Sequence, residues 1–561
     1  MDLLILLVAL GILTLFVFIK EAIQAKKHDR QFVRSLYHMG ETLPEKEYSL
    51  ERFARIGSFY QKHRTEGQVD DITWNDLSMD DVFKRINYTF SASGEEYLYY
   101  TLRDMKKSPE ELKHLEDVIQ FFADTPDVRV GIQYRMSRLG YTGKYSLYDY
   151  IDNLDYLGER SNRKSILMDL LFLPLIGLLF WQPTLALTGI LLLLVYNIVT
   201  YFKEKGEIAP YIISFAYVKR LMETCKELQT FSVSVCESEW ENMKEHLGRL
   251  NGLKRGSYWV FAGNQGGTTG NPIDIIMDYI RMMLHIDLIQ FNKMLSHFRS
   301  HLADVDALIE FVGYLETAIA IGRFRDSVKE FCIPVFGGEQ IMMKEGYHPL
   351  LTKPVKNSIT ASKGVLITGS NASGKSTFLK TVAINAILAQ TIHTCCAEEY
   401  QTPFFEIYSS MALHDDIGNG ESYYIVEIKA LKRILDASAS GERRVLCFVD
   451  EVLRGTNTVE RIAASTQILK SLTNSGKMVC FAATHDIELT ELLKETYDNY
   501  HFEENIIHGD IFFPYTIMHG AARTRNAIKL LEIMGYDKSV IEKAYRQAEH
   551  FVISGTWECS V

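Results

Sequence analysis

Two long apolar stretches stand out in the pattern of hydrophobic and polar residues. The first, residues 3–19, reads LLILLVALGILTLFVFI without a charge, close to the ~20 apolar residues that cross a bilayer as a helix. Lys20, Lys26 and further basic residues follow this stretch, whereas a cleaved signal peptide carries its positive charge before the apolar part. The positive-inside rule therefore predicts a retained transmembrane anchor over residues 1–27, with its N-terminus outside the cell membrane.

The second apolar stretch covers residues 166–202 and is divided by Gln182-Pro183-Thr184. Its first segment contains Asp169 and Pro174, and its second segment is uninterrupted. Basic residues flank both ends, as expected for a transmembrane hairpin that enters from the cytoplasm and returns to it: Arg160, Arg163, Lys164, Lys203 and Lys205. A buried helical hairpin in a soluble core is the alternative, and a re-entrant first segment also stays open.

The periodicity changes along the rest of the chain. Residues 28–165 are mostly helical in pattern, and residues 203–330 contain long amphipathic stretches with apolar residues three and four apart. From residue 331 onward, short β-rich runs (GVLIT, RVLCFV, MVCFAAT) alternate with helix-length segments, which predicts a parallel sheet with crossover helices. The predicted fold is multidomain: an N-terminal transmembrane helix, an α-helical core and lever region with a transmembrane hairpin, and a C-terminal α/β domain. The predicted bounds are 1–27, 28–165, 166–202, 203–330 and 331–561.

Composition narrows the class of protein only slightly. The 561 residues are 47% hydrophobic and 23% charged, which supports a large folded core. The net charge of −11 argues against a surface that is basic all over, as simple nucleic-acid binders show. The eight cysteines form no CxxC pair and no His/Cys cluster at zinc-ligand spacing, which indicates reduced, buried thiols in a cytosolic protein.

The C-terminal region contains a phosphate-binding motif. Residues 369–377 read GSNASGKST, a match to GxxxxGK[ST] between a short apolar strand and a helix. Backbone N–H groups of such a loop surround the phosphates, and the helix N-terminus adds its positive end. We expect Lys375 on the β- and γ-phosphates and the Ser376 hydroxyl on Mg²⁺. The predicted ATP-binding residues of this loop are Gly369, Ser370, Asn371, Ala372, Ser373, Gly374, Lys375, Ser376 and Thr377.

Three further segments carry candidate chemistry. An apolar strand ends in Asp450 and Glu451, which are placed to organise Mg²⁺ and to act as the general base toward water. Another ends before His485, which could hydrogen-bond the γ-phosphate or the attacking water. Residues 415–422 (DDIGNGES) form a Gly/Ser turn that opens a helix, a second anion-binding terminus.

The order of these four segments resembles that of the ABC-type ATPases, and their details resemble the MutS family. The phosphate-binding loop reads GSNASGKST, where the family has GPNMGGKST, and residues 415–427 read DDIGNGESYYIVE, where the family has DDLxxGxSTFxxE. Residues 450–458 read DEVLRGTNT, where the family has DEIGRGTST, and residues 481–489 read FAATHDIEL, where the family has FATHxxEL. Residues 345–349 (EGYHP) resemble the family's GRHP segment, and residues 89–103 (TFSASGEEYLYYTLR) resemble the start of its helical core. The strong resemblance covers residues 340–540.

The resemblance implies an ATPase that works as a homodimer through its ATPase domain. Each site would be completed by the partner subunit, so Ser422 would contact the other subunit's ATP, and Asn371 would lie near the γ-phosphate. The chain departs from the family pattern at Tyr423-Tyr424 and at Leu453. Nothing before residue 75 is long enough for the family's mismatch-reading domain.

The function expected from these features is a membrane-anchored, Mg²⁺-dependent ATPase that couples ATP hydrolysis to binding of mismatched, damaged or branched DNA. The alternative is a nucleotide-gated membrane scaffold that recruits proteins without DNA. A transporter ATPase is a third hypothesis, but the chain has three predicted spans and no LSGGQ signature. Basic residues that could form a DNA-binding patch, or simply a solvated helix face, are Lys219, Arg220, Arg249, Lys254 and Arg255.

Overall fold

The computed structural model describes most of the chain as two compact units. The described residues are 2–38, 46–105, 107–143, 145–254, 256–261, 272–370, 372–411, 423–440, 443–454, 456–474, 476–507, 510–522 and 527–557. The first unit comprises Met1–Arg64, Ile86–Tyr100 and His114–Ser327, and the second comprises Thr65–Arg85, Thr101–Lys113 and Val328–Val561. A multidomain, mostly helical chain with an α/β region toward its C-terminus is confirmed.

The elements before residue 330 are helices. They are α1 (Asp2–Tyr37), α2 (Leu50–Ile56), α3 (Ser58–Lys62), α4 (Asp71–Asp76), α5 (Met79–Ile86), α6 (Ala92–Arg103), α7 (Pro109–Asp124), α8 (Pro126–Leu139), α9 (Leu147–Asp152), α10 (Arg163–Leu170), α11 (Phe172–Leu178), α12 (Pro183–Leu228), α13 (Glu237–Arg249), α14 (Ser257–Phe261), α15 (Pro272–Leu284), α16 (Ile286–Arg299) and α17 (Leu302–Ser327).

Strands and helices alternate after residue 330. The strands are β1 (Val335–Phe336), β2 (Ile341–Gly346), β3 (Asn357–Ala361), β4 (Gly364–Thr368), β5 (Glu399–Thr402), β6 (Phe405–Ser410), β7 (Arg444–Asp450), β8 (Met478–Thr484), β9 (Tyr497–His501), β10 (Asn505–Ile507), β11 (Asp510–Phe512) and β12 (Met518–His519). The helices are α18 (Lys375–Ile392), α19 (Tyr423–Ser440), α20 (Thr458–Thr473), α21 (Glu488–Leu492), α22 (Ala527–Ile533) and α23 (Lys538–Ser554).

Helices α10, α11 and α12 form the hairpin that the second apolar stretch predicted. Leu175 of α11 lies so close to Gly189 of α12 that a Cβ on that glycine would be 2.8 Å from the leucine Cδ2 atom. Apolar side chains along the hairpin are exposed in the first unit, including Phe180 at 93% and Trp181 at 85%. Among the described residues, α12 is the one helix long and apolar enough to cross a membrane, and 22% of its apolar stretch is buried.

The predicted first span, residues 3–19, lies within α1. The side chains of residues 3–15, 17 and 18 are outside the described part of the structure, so the anchor stays a prediction. Helix α12 does not end with the apolar stretch but continues through Phe202 to Leu228.

Two polar side chains of the hairpin make polar contacts within the first unit, although Asn197 Oδ1 is buried without a partner among the described residues. Asn197 of α12 is fully buried and donates from Nδ2 to the Met283 carbonyl at 2.7 Å. The Asp169 carboxylate lies 3.4 Å from Nδ1 of the buried His285. An unpaired polar group in an apolar environment is costly, so these contacts let Asp169 and Asn197 occupy an otherwise apolar segment.

The second unit is built on a six-stranded sheet in the order β12-β9-β4-β8-β7-β6. Strands β9, β4, β8, β7 and β6 run parallel, and β12 pairs antiparallel with β9. The burial of every residue of β4 and β8 explains their continuous apolar sequences, since a central strand of a parallel sheet is covered on both faces. A second sheet has the order β1-β5-β2-β3, and β10 and β11 form an antiparallel pair.

A short segment from the front of the chain covers the β6 edge of the large sheet. The buried carboxylate of Asp76 in α4 accepts hydrogen bonds from Ser409 Oγ at 2.6 Å and from the Met411 backbone N–H at 2.9 Å. The Ser409 backbone N–H donates to Thr73 Oγ1 at 3.1 Å. An exposed sheet edge has unpaired backbone groups, and these contacts satisfy them with side chains. The stretch 28–165, expected as one helical domain, thus contributes 65–85 and 101–113 to the second unit; its bounds stay a prediction.

We expect Asp76→Ala to destabilise the second unit by about 1–3 kcal/mol, because Ser409 and Met411 would lose their buried acceptor. The measurement is the thermal unfolding midpoint of the full chain in detergent. Asp81→Ala is the matched control, since Asp81 is exposed and forms a surface ion pair with Lys84. Equal midpoints for the two variants would contradict a stabilising role for Asp76.

Candidate phosphate-binding site

The phosphate-binding motif forms the connection between β4 and α18, as its sequence predicted. Gly374 precedes α18 with a φ of 108°, and Gly369 follows β4 with a φ of 148°. A Cβ on Gly369 would lie 2.7 Å from the Phe502 carbonyl oxygen. Glycine is therefore required at position 369 by its backbone conformation and by the close approach of another chain segment.

Lys375 begins α18 and folds back over the loop. Its Nζ atom donates to the carbonyl oxygens of Gly369 and Ser370, both at 2.9 Å. Burial lowers the pKa of Lys375 to about 8, and the carboxylate of Asp450 acts in the opposite direction. A buried ammonium group is stabilised by an anionic partner, so the loop presents a cation that would gain from contact with phosphate.

Asp450 and Glu451 stand at the carboxyl end of β7. The Oδ1 atom of Asp450 is buried and has no hydrogen-bond partner among the described residues. The backbone N–H of Glu451 donates to the Ala483 carbonyl in β8 at 2.9 Å, and its φ of 58° is unusual for a residue other than glycine. This turn directs the chain out of the sheet immediately after the two carboxylates.

The Glu451 carboxylate has a cationic or polar group on each side. His485, directly after β8, has its Nε2 atom 2.5 Å from Glu451 Oε1, and Arg454 contacts Oε2 through Nε. Burial, followed by the charge of Lys375, lowers the pKa of His485. A neutral ring at pH 7 has one N–H, which the contact with the Glu451 carboxylate assigns to Nε2.

A cavity of about 510 Å³ opens beside the loop. Burial lowers the pKa of His348 in its wall to about 4, so this ring is neutral at physiological pH. The volume is within the range of small-molecule sites in proteins. Side chains that line the cavity include His348, Lys353, Asn357, Ser376, Thr377, Thr381, Glu451, Arg454, Phe502 and Tyr515.

The structure brings together most of the predicted site residues. Ser373 is buried, Ser376 and Thr377 lie in the first turn of α18, and Ala372 has a φ of 65° beside them. Asn371 and Ser422 lie outside the described residues, as does the whole segment 412–422.

Two contacts of the site were missed by sequence reasoning. Ser370 Oγ donates to Glu504 Oε2 at 2.8 Å, and Arg454 reaches Glu451. Arg454 is part of the quoted DEVLRGTNT segment, three residues after Glu451, so its contact with Glu451 could have been predicted from the sequence. Glu504 follows β9 in a stretch without a motif, and no sequence signal indicates its contact.

The predicted basic residues of the first unit are largely engaged. Arg220 donates to the carbonyls of Leu139 at 3.0 Å and Tyr141 at 3.2 Å. Arg249 pairs with Asp304 at 3.2 Å. Lys219 lies 3.8 Å from Glu223, Lys254 is exposed, and Arg255 is outside the described residues. These contacts favour a structural use of Arg220 and Arg249 over a free basic patch.

In this domain a strand, a glycine loop and a helix enclose a buried lysine. Carboxylates stand at the end of a nearby parallel strand. Together these features define an α/β domain of the phosphate-binding class. A protein-family model described as MutS domain V matches residues 365–552. This match confirms, for that part of the chain, the resemblance of its motifs to the MutS family.

Curated relatives match over the same part of the chain. A DNA mismatch repair protein MutS of Thermus thermophilus is 33% identical over 212 residues, which is 37% of this chain and 26% of the relative. MutS of Thermus aquaticus is 31% identical over 248 residues, 43% of this chain and 29% of the relative. MutS of Natronomonas pharaonis is 30% identical over 225 residues, with coverages of 38% and 26%. The matched part of the chain thus spans about a quarter of the length of these relatives.

We expect Gly369→Ala to lower stability by about 1–3 kcal/mol, because alanine at this φ is strained and its Cβ would collide with the Phe502 carbonyl. Gly476→Ala is the matched control: Gly476 has a φ of 63° and open space around its Cα. The control should lose about 1 kcal/mol through backbone strain alone. Thermal unfolding midpoints of both variants make the comparison, and a loss for Gly369→Ala no larger than for the control would contradict the close packing.

Proposed function

We propose that this protein binds and hydrolyses ATP with Mg²⁺ at the site between β4, β7 and β8. The observation that carries the proposal is the convergence of Lys375, Asp450, Glu451 and His485 at one edge of the parallel sheet. The match to MutS domain V supports it.

The residues at this edge suit the parts of a phosphoryl transfer to water. Lys375 exchanges its two carbonyl partners for oxygens of the β- and γ-phosphates, and the loop N–H groups stabilise the same charge. Glu451 accepts a proton from the attacking water. His485 holds Glu451 in position through the contact at 2.5 Å between its Nε2 atom and Glu451 Oε1.

The oxygen atoms needed for Mg²⁺ are present. Asp450 Oδ1 is buried without a partner in the described structure, and the Ser376 hydroxyl lies at the start of α18. Carboxylate and hydroxyl oxygens are ligands that Mg²⁺ accepts together with phosphate oxygens. When bound, the ion would supply positive charge to the phosphates during transfer.

We further propose that hydrolysis occurs in a homodimer and is coupled to DNA. The curated relatives are named DNA mismatch repair proteins, which supports this proposal. By the family resemblance, Ser422 of one subunit would contact the ATP of the other. The engagement of Arg220 and Arg249 leaves a nucleotide-gated scaffold without DNA as the competing function.

We expect Glu451→Gln to lower the ATP turnover rate by about 10²–10⁴-fold, because the amide cannot accept the proton from water. ATP affinity should stay close to that of the wild type, since glutamine keeps the size and shape of the side chain. Steady-state hydrolysis and nucleotide binding of the detergent-solubilised full chain measure the two effects.

Glu491→Gln is the control, because Glu491 is an exposed glutamate that pairs at the surface with Lys494. Residual turnover in Glu451→Gln equal to that of the control would remove Glu451 from the proposed mechanism. The same assay with mismatched or branched duplex DNA tests coupling. A DNA-dependent rate that weakens steeply with salt supports it, and a rate that ignores every DNA favours the scaffold.

We also propose that the hairpin of α10, α11 and the start of α12 crosses the membrane, together with the predicted anchor in α1. A buried core helix would be covered by the unit, whereas 22% of the apolar stretch of α12 is buried. Exposed apolar side chains also continue around the turn at Phe180 and Trp181. Contact of the exposed apolar side chains of α12 with lipid would remove their surface from water at about 25 cal/mol per Å².

We expect a cysteine at the hairpin turn, Trp181→Cys, to react with a membrane-impermeant maleimide added to intact cells. Val459→Cys in α20 is the control, since Val459 is 79% exposed and belongs to the second unit. It should react only after permeabilisation, because the ATPase unit is proposed to be cytoplasmic. Protection of Trp181→Cys until permeabilisation would contradict a hairpin that crosses the membrane.

A further inference from the structure

Three side chains of the first unit, from two segments far apart in sequence, meet at one point away from the phosphate-binding site. His114 lies in α7, Cys236 immediately precedes α13, and Glu239 is in the first turn of α13. One ligand atom from each of them lies within 4.8 Å of the others. We propose that these three residues bind a zinc(II) ion.

The donor set is one that zinc accepts. Imidazole nitrogen, thiolate sulfur and carboxylate oxygen are its three protein ligand types, and three protein ligands leave a fourth position for water or another ligand. Thiolate and imidazole together select against Mg²⁺ and Ca²⁺, which prefer oxygen ligands. The site is therefore chemically different from the one formed by Ser376 and Asp450.

The contacts around the three residues suit an ion. His114 Nε2 and Glu239 Oε1 are 2.6 Å apart, so one proton now occupies the position between them. Zinc bonds of about 2.0–2.2 Å to both atoms would replace this hydrogen bond after a small movement of the side chains. Ser238 Oγ donates to Glu239 Oε2 at 2.7 Å, which fixes the carboxylate and leaves Oε1 directed to the ion.

Burial differs among the three residues in a way that permits entry of an ion. Cys236 is fully buried, whereas the side chains of His114 and Glu239 are 38% and 29% exposed. The Tyr314 ring stacks on His114 with an interplanar angle of 7°, and its buried hydroxyl has no hydrogen-bond partner among the described residues. The half-exposed pair would capture the ion, and the buried thiol would bind it with loss of its proton to solvent.

The test is metal binding by the full-length protein in detergent, without nucleotide, after removal of bound metal with a chelator. We expect one Zn²⁺ per chain with high affinity. Co²⁺ in its place should give the near-ultraviolet charge-transfer band of a thiolate ligand. Cys236→Ser should abolish this band, and Glu239→Gln should weaken Zn²⁺ binding at least tenfold.

Matched controls separate this site from the rest of the chain. Cys225→Ala removes another fully buried cysteine of the same unit, and Glu241→Gln makes the same change at an exposed position of α13. Both, and Asp450→Asn in the second unit, should keep the band and the affinity. Absence of zinc binding by the wild type, or an unchanged band and affinity in Cys236→Ser and Glu239→Gln, would overturn the proposal. Circular dichroism of each variant verifies folding. Because Glu239 is partly exposed, Glu239→Gln tests the site without disturbing the buried core.

Discussion

The parallel pairing of β4, β8 and β7 is the constraint on which the candidate site depends. Residues 365–368 of β4 pair with 481–484 of β8, and residues 445–450 of β7 pair with 478–483 of β8. In parallel strands the carboxyl ends fall on the same edge, so the chain leaves the sheet there three times, each time carrying a polar side chain. The glycine loop, the carboxylate pair and His485 are neighbours because this register is kept, although more than a hundred residues separate the first from the last.

Motif and periodicity predicted much of this domain. The runs GVLIT and MVCFAAT are β4 and β8 residue for residue, because central strands of a parallel sheet are apolar throughout and end abruptly at glycine or a polar residue. Lys375, Asp450 and Glu451 were found because their chemistry requires a fixed spacing from a strand. Local patterns did not reveal that β8 lies between β4 and β7. An apolar sequence indicates that a strand is buried on both faces, but it does not indicate which strands pair with it.

Contacts between distant segments were beyond the reach of sequence patterns. Asp76 looks like an ordinary acidic residue of a short helix, yet its acceptor position on the β6 edge depends on residues more than three hundred positions away. His114 and the pair Cys236 and Glu239 have no ligand spacing along the chain, and only the packing of α7 near α13 brings them together. Such pairings depend on tertiary geometry. Hydrophobic periodicity predicts which face of an element is buried, but not which element packs against it.

Helix α12 has a mechanical consequence that follows from its continuity. Its 46 residues extend for about 69 Å at 1.5 Å per residue, without an intervening loop between the apolar hairpin and the buried face near Leu221. Each residue advances the helix by about 100°, so the angular phase of the apolar face is tied to that of the core-packing face. Insertion of a single residue near Lys203 would rotate one face against the other by more than a quarter of a turn. The number of residues between the two faces therefore matters for the structure as much as the identity of the residues that form them.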